Sequence, residues 1–441
     1  MRKRKSISIL ACVCASATFL SGCSVLGGNL LAKPATAEKL SYTEYQEENF
    51  VVFKEKAEQF SASLTSEMYA RSDKDDNLSV APMSVFMALS IVAECATGDT
   101  KAELLNALGV SENAIETHLP TLYRALNVEY NGAGYIREQT TGLLKTSNSI
   151  WIDESVSYNN ACVEKLAKNY YCYPYQADFV KKNALANYAV KSFVKEQTKG
   201  LVDEDFNLDT QTLFTFINTM YLKALWNDRG DDIPLTSETY SFKERSGEIE
   251  RTKLMARGYV AGRAYEGEKF TSFYTTTYNN FKLKFIVPKE GYTIDEVFTK
   301  ENIFEANTVK GYSSVDHEKR EEYYTRCFFP QFEADCDEDI SSILREEFGV
   351  NSLFDWGRCE LNEFTSDKLA CGSVQHITEL EVDRKGIEGA AVTLMPMGAT
   401  SAPSVEYTKL YFDFIVDKAF GFIITDNYGT TLFSGVVNEL D

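Results

Sequence analysis

Histidine is scarce in this sequence of 441 residues, and the patterns that usually carry catalysis are missing. Only three histidines occur, His118, His317 and His376. No serine lies in a G-x-S-x-G turn, and the sequence has neither an H-E-x-x-H motif nor a phosphate-binding glycine loop. Glu379 and Glu381 alternate as on a solvated strand face rather than as a glycosidase pair. We therefore expect no enzyme, no metal site and no cofactor.

Basic residues are also fewer than acidic ones. Lys and Arg total 45 against 65 Asp and Glu, which gives a net charge of −20. Such an acidic chain is not suited to the phosphate backbone of nucleic acids or to electrostatic binding at anionic membranes. With 44% apolar and 13% aromatic residues it can bury a large core. These values predict a globular protein, which we expect to be monomeric and without a nucleic-acid partner.

The ten cysteines show no C-x-x-C spacing of the kind found in zinc or redox sites. Three of them lie in the first 23 residues, and an odd number remains, so at least one thiol stays outside any intramolecular disulfide. We expect most of the rest to be small buried hydrophobic residues, and the sequence leaves disulfide pairing open. These remaining cysteines are Cys95, Cys162, Cys172, Cys327, Cys336, Cys359 and Cys371.

The amino terminus has no apolar run long enough for a stable membrane-spanning helix, but it does have the order of an export signal. Residues 2–5 are basic and residues 6–20 are apolar. The sequence Leu20-Ser21-Gly22-Cys23 then resembles the lipobox of bacterial lipoproteins, whose cysteine receives a diacylglyceryl group and becomes the first residue. An ordinary secretory signal with a chance cysteine is the alternative.

The lipobox resemblance implies three parts: a signal peptide over residues 1–22, the lipidated Cys23 with a flexible tether up to residue 44, and a folded domain over residues 45–441. Several acyl chains would attach the protein firmly, since each buried methylene contributes about 0.8 kcal/mol. We therefore expect an exported lipoprotein of the cell membrane that faces outside the cytoplasm.

Hydrophobic periodicity predicts helices first and strands later. Phe53, Ala57, Phe60, Leu64 and Met68 follow the spacing of an amphipathic helix, and a second helical pattern begins near residue 85. From about residue 143 onward, strand-like runs follow, among them SNSIWI, FTFINTMYLKALW, FKLKFIVP, YFDFIV, FGFIITDN and TTLFSGVV. The predicted class is α+β, with a helical first third packed on large mixed or antiparallel sheets.

Several segments, in the right order, resemble the serpin family of serine protease inhibitors. Residues 77–84 are similar to the serpin N-x-x-x-S-P-x-S segment, with Ala81 in place of its serine. The strand FINTMYLKALW places Asn218 and Trp226 at two characteristic positions, with Ala224 in place of a glycine. The others are residues 187–200, residues 330–332, GVNSLFD, His376 and residues 419–437.

The serpin resemblance implies an exposed reactive-site loop over about residues 384–411. A protease cleaves this loop, and its first half inserts into a large sheet as an added strand, a mechanism that is a known example of strand addition. Inserted, Ile387, Gly389, Ala391, Thr393 and Met395 would share the inner face, while Glu388 would point away. The hinge that must enter comprises Gly386, Ile387, Glu388, Gly389, Ala390, Ala391, Val392 and Thr393.

The hinge departs from the family pattern at its start. Ile387 replaces the usual threonine, and Arg384 replaces the usual glutamate, whose lysine partner aligns with Gln331. The family's salt bridge at this end of the sheet is therefore absent, and Glu333 is a candidate for a substitute interaction. Pro396 would remove a ladder hydrogen bond if insertion ran that far.

The resemblance also implies a buried polar cluster where the sheet opens. Its predicted members are Ser84, Asn218, His376 and Trp226. Such a network would help to decide when the strands part, whereas the alternative for His376 is a surface histidine.

Between Lys385 and Lys409 there is no Lys or Arg, so the loop does not suit a trypsin-like pocket. The family's usual spacing places the cleaved bond at Thr400-Ser401, with Met397, Ala399 and Ala402 as alternatives. These small residues favour elastase-like or subtilisin-like proteases as targets, and cysteine proteases remain open. The alternative function is that of a non-inhibitory serpin, a binding or structural protein at the surface.

Overall fold

The computed structural model describes residues 25–131, 140–203, 205–227, 230–308, 314–388 and 407–440. Over these ranges the α+β class is confirmed, with helices packed on one large mixed sheet. None of the helices in these ranges is both long enough and apolar enough to cross a membrane.

The helices concentrate in the first half of the chain. They are α1 (Tyr42–Tyr45), α2 (Glu48–Arg71), α3 (Pro82–Cys95), α4 (Gly98–Leu108), α5 (Glu112–Ala125), α6 (Asn160–Asn169), α7 (Asn183–Gln197), α8 (Ile294–Val297), α9 (Lys300–Thr308) and α10 (Ser341–Glu346), with a 3-10 turn at Ser352–Phe354.

The strands up to residue 261 are β1 (Asn29–Leu30), β2 (Leu78–Val80), β3 (Val128–Asn131), β4 (Thr140–Asp153), β5 (Tyr173–Ala177), β6 (Phe214–Leu225), β7 (Tyr240–Lys243), β8 (Ile249–Thr252), β9 (Met255–Ala256) and β10 (Val260–Ala261). Those that follow are β11 (Tyr265–Glu266), β12 (Phe270–Thr276), β13 (Lys282–Pro288), β14 (Val315–Asp316), β15 (Glu321–Phe329), β16 (Phe332–Asp339), β17 (Gln375–Val382), β18 (Gly386–Glu388), β19 (Thr408–Ile415), β20 (Phe420–Thr425) and β21 (Thr431–Val437).

The large sheet has the order β1-β5-β4-β6-β18-β17-β16-β2-β21-β20-β13-β12-β11, and β3 pairs with β4. A second sheet forms around β15, which pairs with β9, β10, β14 and β19, while β7 and β8 form a separate hairpin. Most neighbours are antiparallel, but β4–β5, β16–β2 and β15–β19 are parallel. Each predicted strand-forming run coincides with one of these strands, with at most two residues beyond its ends.

Helix α3 lies at the centre of the core. All its residues are buried, because its sequence PMSVFMALSIVAEC is apolar on nearly every side. Its one charged residue, Glu94, is paired with Lys165 Nζ at 2.7 Å and accepts a hydrogen bond from the Tyr170 hydroxyl at 2.9 Å. Phe86 packs between Phe53 and Phe60 of α2, which confirms the inner face predicted for that helix.

The flexible tether predicted up to residue 44 is wrong for residues 25–44. Strand β1 pairs with β5 at the edge of the large sheet. The Leu31 amide donates to the Pro174 carbonyl at 2.8 Å, and the Ala35 amide donates to the Ala167 carbonyl at 3.0 Å. The prediction fails because an extended segment can satisfy its backbone groups by adding to an unpaired strand edge.

The seven cysteines within the described ranges are all buried free thiols, as predicted for small hydrophobic residues. For Cys172 and Cys327, burial raises the pKa of the thiol because the thiolate would lose its hydration.

The docked segment can be tested by hydrogen exchange. We expect the hydrogen-bonded amides within residues 29–36, in the β1–β5 ladder and at Leu31 and Ala35, to exchange about 100-fold more slowly than the amides of the exposed segment at residues 73–76. Peptide-resolved mass spectrometry after deuterium labelling measures this. Equal exchange rates in the two peptides would contradict the docked position of this segment and support the flexible tether.

Candidate functional site: the opening in the large sheet

The candidate site is the boundary between β6 and β17, where β18 enters. After β17 the chain turns, and the Asp383 carboxylate accepts hydrogen bonds from the amides of Lys385 and Gly386 at 2.7 and 2.9 Å. Strand β18 then runs antiparallel to both neighbours. Gly386 is required here, because a Cβ at this position would lie 1.7 Å from the Ala224 carbonyl oxygen. The hairpin thus directs the start of the hinge into the sheet.

The side chains of β18 alternate between the two faces of the sheet. Ile387 is only 1% exposed and belongs to the main hydrophobic core. Glu388 points to the other face, where it accepts a hydrogen bond from the Tyr221 hydroxyl at 2.9 Å and pairs with Lys223 at 3.3 Å. The carboxylate beside it helps to raise the pKa of Tyr221, although burial of the phenol is the larger cause. Tyr221 and Lys223 were not identified from the sequence.

Arg384 has a partner that the sequence did not reveal. Its guanidinium pairs with Asp232 at 3.1 Å and donates to the Ile233 carbonyl at 3.1 Å, while the Ile233 amide donates to the Arg384 carbonyl at 2.8 Å. Glu333, the suggested substitute, is instead opposite Glu381 in the β16–β17 ladder. The missing family salt bridge is therefore replaced by an ion pair to the segment after β6.

Trp226 lies at this same end of the sheet and not in the polar cluster. Its indole donates to the Asp383 carbonyl at 2.6 Å, and its amide donates to the Lys385 carbonyl at 2.8 Å. Asn218 is eight residues earlier, towards the other end of β6. The grouping of Trp226 with the cluster is therefore wrong, because its position in the family motif did not reveal how far along the strand it lies.

Beyond Glu388, no ladder in the described part of the chain joins β6 directly to β17. A cavity of about 50 Å³ lies between the two strands, above α3. Its lining includes Ser84, Phe216, Asn218 and His376.

The remaining three predicted members of the cluster meet at this cavity. The Ser84 hydroxyl donates to Asn218 Oδ1, and Asn218 Nδ2 donates to Asn148 Oδ1 on β4. His376 does not bond to either residue; its Nε2 accepts the Ala81 amide proton at 3.1 Å, at the start of α3. Ala81 stands where the family motif has a serine. This difference leaves the bond to His376 intact, because the donor is the backbone amide of Ala81.

His376 is held neutral by its surroundings. Its ring is fully buried, and this burial lowers the pKa from 6.5 to about 4. With Nε2 accepting a hydrogen bond, the ring proton is on Nδ1. His376 is therefore a buried structural residue rather than a surface histidine.

Asn148 was missed by sequence analysis, although a signal was present. Residues 146–149 of β4, Thr-Ser-Asn-Ser, are all 0–1% exposed. Four consecutive polar residues inside a strand that is otherwise rich in apolar residues indicate buried hydrogen bonding, because buried polar groups need partners.

The other hinge residues, Gly389, Ala390, Ala391, Val392 and Thr393, lie outside the described residues. So do Met395, Pro396, the predicted cleavage position Thr400-Ser401, its alternatives Met397, Ala399 and Ala402, and the predicted lipidation residue Cys23.

Burial of neutral His376 makes stability depend on pH. The unfolded chain binds a proton below pH 6.5 and the folded chain only below about 4, so stability is complete above pH 6.5 and is lost as pH falls towards 4. The wild type should lose up to about 3 kcal/mol more in this range than His376→Gln. Urea denaturation at stepped pH measures the difference.

The control is His317→Gln, because His317 is exposed. That variant should follow the wild type. Identical pH profiles for wild type and His376→Gln would contradict the neutral buried state.

Known proteins that are similar to this chain identify its family. A family model, Serpin (serine protease inhibitor), matches residues 55–440. The chain is 25% identical to Serpin B6 of Macaca fascicularis over 73% of this chain and 83% of the relative. It is 26% identical to an uncharacterized serpin-like protein of Methanosarcina acetivorans, over 86% of this chain and 84% of that protein.

Solved serpin structures have the same fold. The native state of Tengpin, a thermophilic serpin, matches with a TM-score of 0.69 and 19% identity over 93% of this chain and 97% of that chain. AtSerpin1 of Arabidopsis, in its native stressed conformation, matches with a TM-score of 0.70 and 21% identity over 88% and 98%. Together with the family match over most of the chain, this similarity establishes that the protein belongs to the serpin family.

Proposed function

We propose that this protein inhibits serine proteases of the elastase-like or subtilisin-like type, and that a lipid on Cys23 holds it at the outer side of the cell membrane. The observation that carries the proposal is β18, which occupies a strand position between β6 and β17 with one core-facing and one outward side chain. The rest of the hinge, residues 389–393, follows β18 directly in the sequence and carries no charge.

The pairing of β18 defines the register in which the hinge would enter. Gly386 is opposite Leu225, and Glu388 is opposite both Lys223 and Glu381. Continued without a break, this register would bring each hinge residue between one residue of β6 and one of β17. Gly389 would meet Leu222 and Leu380, Ala391 would meet Met220 and Thr378, and Thr393 would meet Asn218 and His376.

Side-chain chemistry along this path favours insertion. Ile387 faces the core, so Gly389, Ala391, Thr393 and Met395 would face it too. All are uncharged, and a charge there would be separated from water at a large cost in free energy. Thr393 would arrive beside the polar cluster, where its hydroxyl can hydrogen-bond.

The proposed mechanism uses the loop as a substrate. The hydroxyl of the protease serine attacks the carbonyl of the cleaved bond, the amine side leaves, and an acyl-enzyme ester forms. The freed hinge then adds its backbone hydrogen bonds to β6 and β17 and carries the attached protease along the sheet. Distortion of the protease stalls hydrolysis of the ester.

The loop composition determines which proteases fit. A trypsin-like pocket holds a buried carboxylate that needs a cation, and residues 386–408 contain no Lys or Arg. The small side chains around Thr400 suit a shallow pocket.

We expect pancreatic elastase to form a complex that survives denaturing gel electrophoresis, and trypsin to form none, because of this difference in the pocket. Mass spectrometry of the released carboxyl-terminal peptide should place cleavage at Thr400-Ser401 or at one of its neighbours. Stable complexes with trypsin and none with any elastase would contradict the specificity. Cleavage by all proteases without any stable complex would favour the non-inhibitory alternative.

Ala391→Arg tests the direction of the hinge side chains. Because the new cation would face the core on insertion, the variant should be cleaved by elastase at the normal rate but release it, with the fraction trapped reduced at least about 10-fold. The stoichiometry of inhibition measures the fraction trapped, and the thermal midpoint of the cleaved variant should fall below that of cleaved wild type.

The matched control is Ala390→Arg. In the same register this side chain would lie on the outer face between Tyr221 and Glu379, where a cation meets carboxylates rather than the core. It should trap the protease as the wild type does. If both variants trap equally well, the register extended from β18 is wrong.

A further inference from the structure

Residues 25–30, the first that the structure describes, pack against the domain. Beyond the β1–β5 ladder, the Gly28 amide donates to the Val25 carbonyl at 2.9 Å and closes a turn. A Cβ on Gly28 would lie 3.0 Å from the Trp151 ring, so the turn is in close contact with the core beneath it. Val25 and Leu30 pack against the hydrophobic cluster that contains Trp151 and Phe193. This segment therefore has a defined position beside α7.

Gly27 joins the turn to α7. Its φ of +96° is one that side chains rarely allow, and a Cβ here would lie 2.6 Å from the Leu185 carbonyl oxygen and 2.7 Å from Leu185 Cγ. The backbone of the turn therefore lies against Leu185, and Leu26 directly precedes this contact in the chain.

Three large apolar side chains are exposed at this contact. Leu26 is 70% exposed, Tyr188 54% and Leu185 38%. Leu185 and Tyr188 are three residues apart on α7 and share one side of it. Single exposed hydrophobic residues need no explanation, but a group of them indicates an interaction site. We refer to Leu26, Leu185 and Tyr188 as the apolar surface.

The chain outside the described residues indicates what covers the apolar surface. Cys23 precedes Val25 by two residues, and two residues span at most about 7 Å. A lipid on Cys23 would therefore bring the bilayer to within the same distance of the turn. We propose that the apolar surface rests in the interface of the bilayer, so that the domain lies directly on the membrane without a flexible spacer. This inference rests on the lipid anchor of the proposed function.

This contact would orient the reactive loop away from the membrane. Asn29 of β1 pairs with Gln176 of β5, and Gln176 pairs with Ile152 of β4. Ile152 in turn pairs with Phe214, at one end of β6. β18 pairs at the other end, at Leu225. Since β6 runs from Phe214 to Leu225, the two ends are roughly 36 Å apart at about 3.3 Å per residue. The intact loop would thus start well outside the headgroup region, where proteases can reach it.

Tryptophan fluorescence in vesicles tests the contact. The full-length lipidated protein carrying Tyr188→Trp is reconstituted into phosphatidylcholine–phosphatidylglycerol vesicles whose acyl chains contain bromine, a contact quencher. Because interfacial side chains reach roughly 5–10 Å into the headgroup and acyl boundary, we expect about a two-fold loss of the added emission. The matched control is Tyr292→Trp, which is also at an exposed tyrosine but follows β13, near the opposite end of the sheet order; its emission should be unchanged.

Further variants separate this inference from the anchor itself. Leu26→Asp should reduce quenching at position 188 while the protein still floats with the vesicles. If the wild type floats but position 188 is never quenched, the contact is wrong and the anchor stands. If the wild type does not float, or floats no better than Cys23→Ser, the anchor and the contact both fail. A concentration-dependent emission shift of the 188 tryptophan without vesicles would assign the surface to a second copy of the chain instead.

Discussion

The facing backbone edges of β6 and β17 are the constraint on which the rest of the molecule depends. A strand edge presents N–H and C=O groups that are costly to leave without partners away from water. β18 pairs with both edges at one end of the opening. A segment that continued this strand would gain a ladder on each side, so its backbone would supply a large part of the drive for the proposed insertion.

The side chains decide which segment can use those edges. Beneath the opening lies α3, which is buried over its full length and lines the cavity with Val85, Ala88, Leu89 and Val92, and with Ser84 at its first turn. There, Ser84 and the Ala81 amide meet Asn218 and His376, one from each of the two strands. Separation of the strands must preserve these buried hydrogen bonds or replace them, because unpaired polar groups in the interior are destabilising. The cluster therefore couples the width of the opening to the position of α3.

At the other end of the opening, a second set of contacts holds the start of β18. Arg384 and Asp232, together with the bonds from Trp226 to Asp383 and Lys385, hold the turn before β18 against the segment after β6. Glu388 and Lys223 add an ion pair on the outer face, which is partly exposed and so contributes little. The Arg384–Asp232 ion pair and the bonds to backbone carbonyls thus fix the start of the hinge, in place of the ion pair that the family pattern predicts.

Much of the fold could be predicted from local patterns. The spacing of Phe53, Ala57 and Phe60 predicted the inner face of α2, and the strand-like runs lie in β4, β6, β13, β19, β20 and β21. Buried alternation and helical periodicity are properties of neighbouring residues, and so they are visible in the sequence. Of the hinge that the family resemblance implies, the structure places Gly386–Glu388 in β18, and its role stays a prediction.

The sequence by itself determined the class, the family and the set of segments that build the opening, because each depends on local composition and on motif order. Only the tertiary structure decided that Arg384 meets Asp232, that Asn148 joins Asn218, that Trp226 stands apart from the polar cluster, and that residues 25–44 pack on the domain. These contacts join residues that are far apart in the chain or depend on a free strand edge. The geometry of the folded sheet selects the partners in these contacts, and local hydrophobicity carries no information about that geometry.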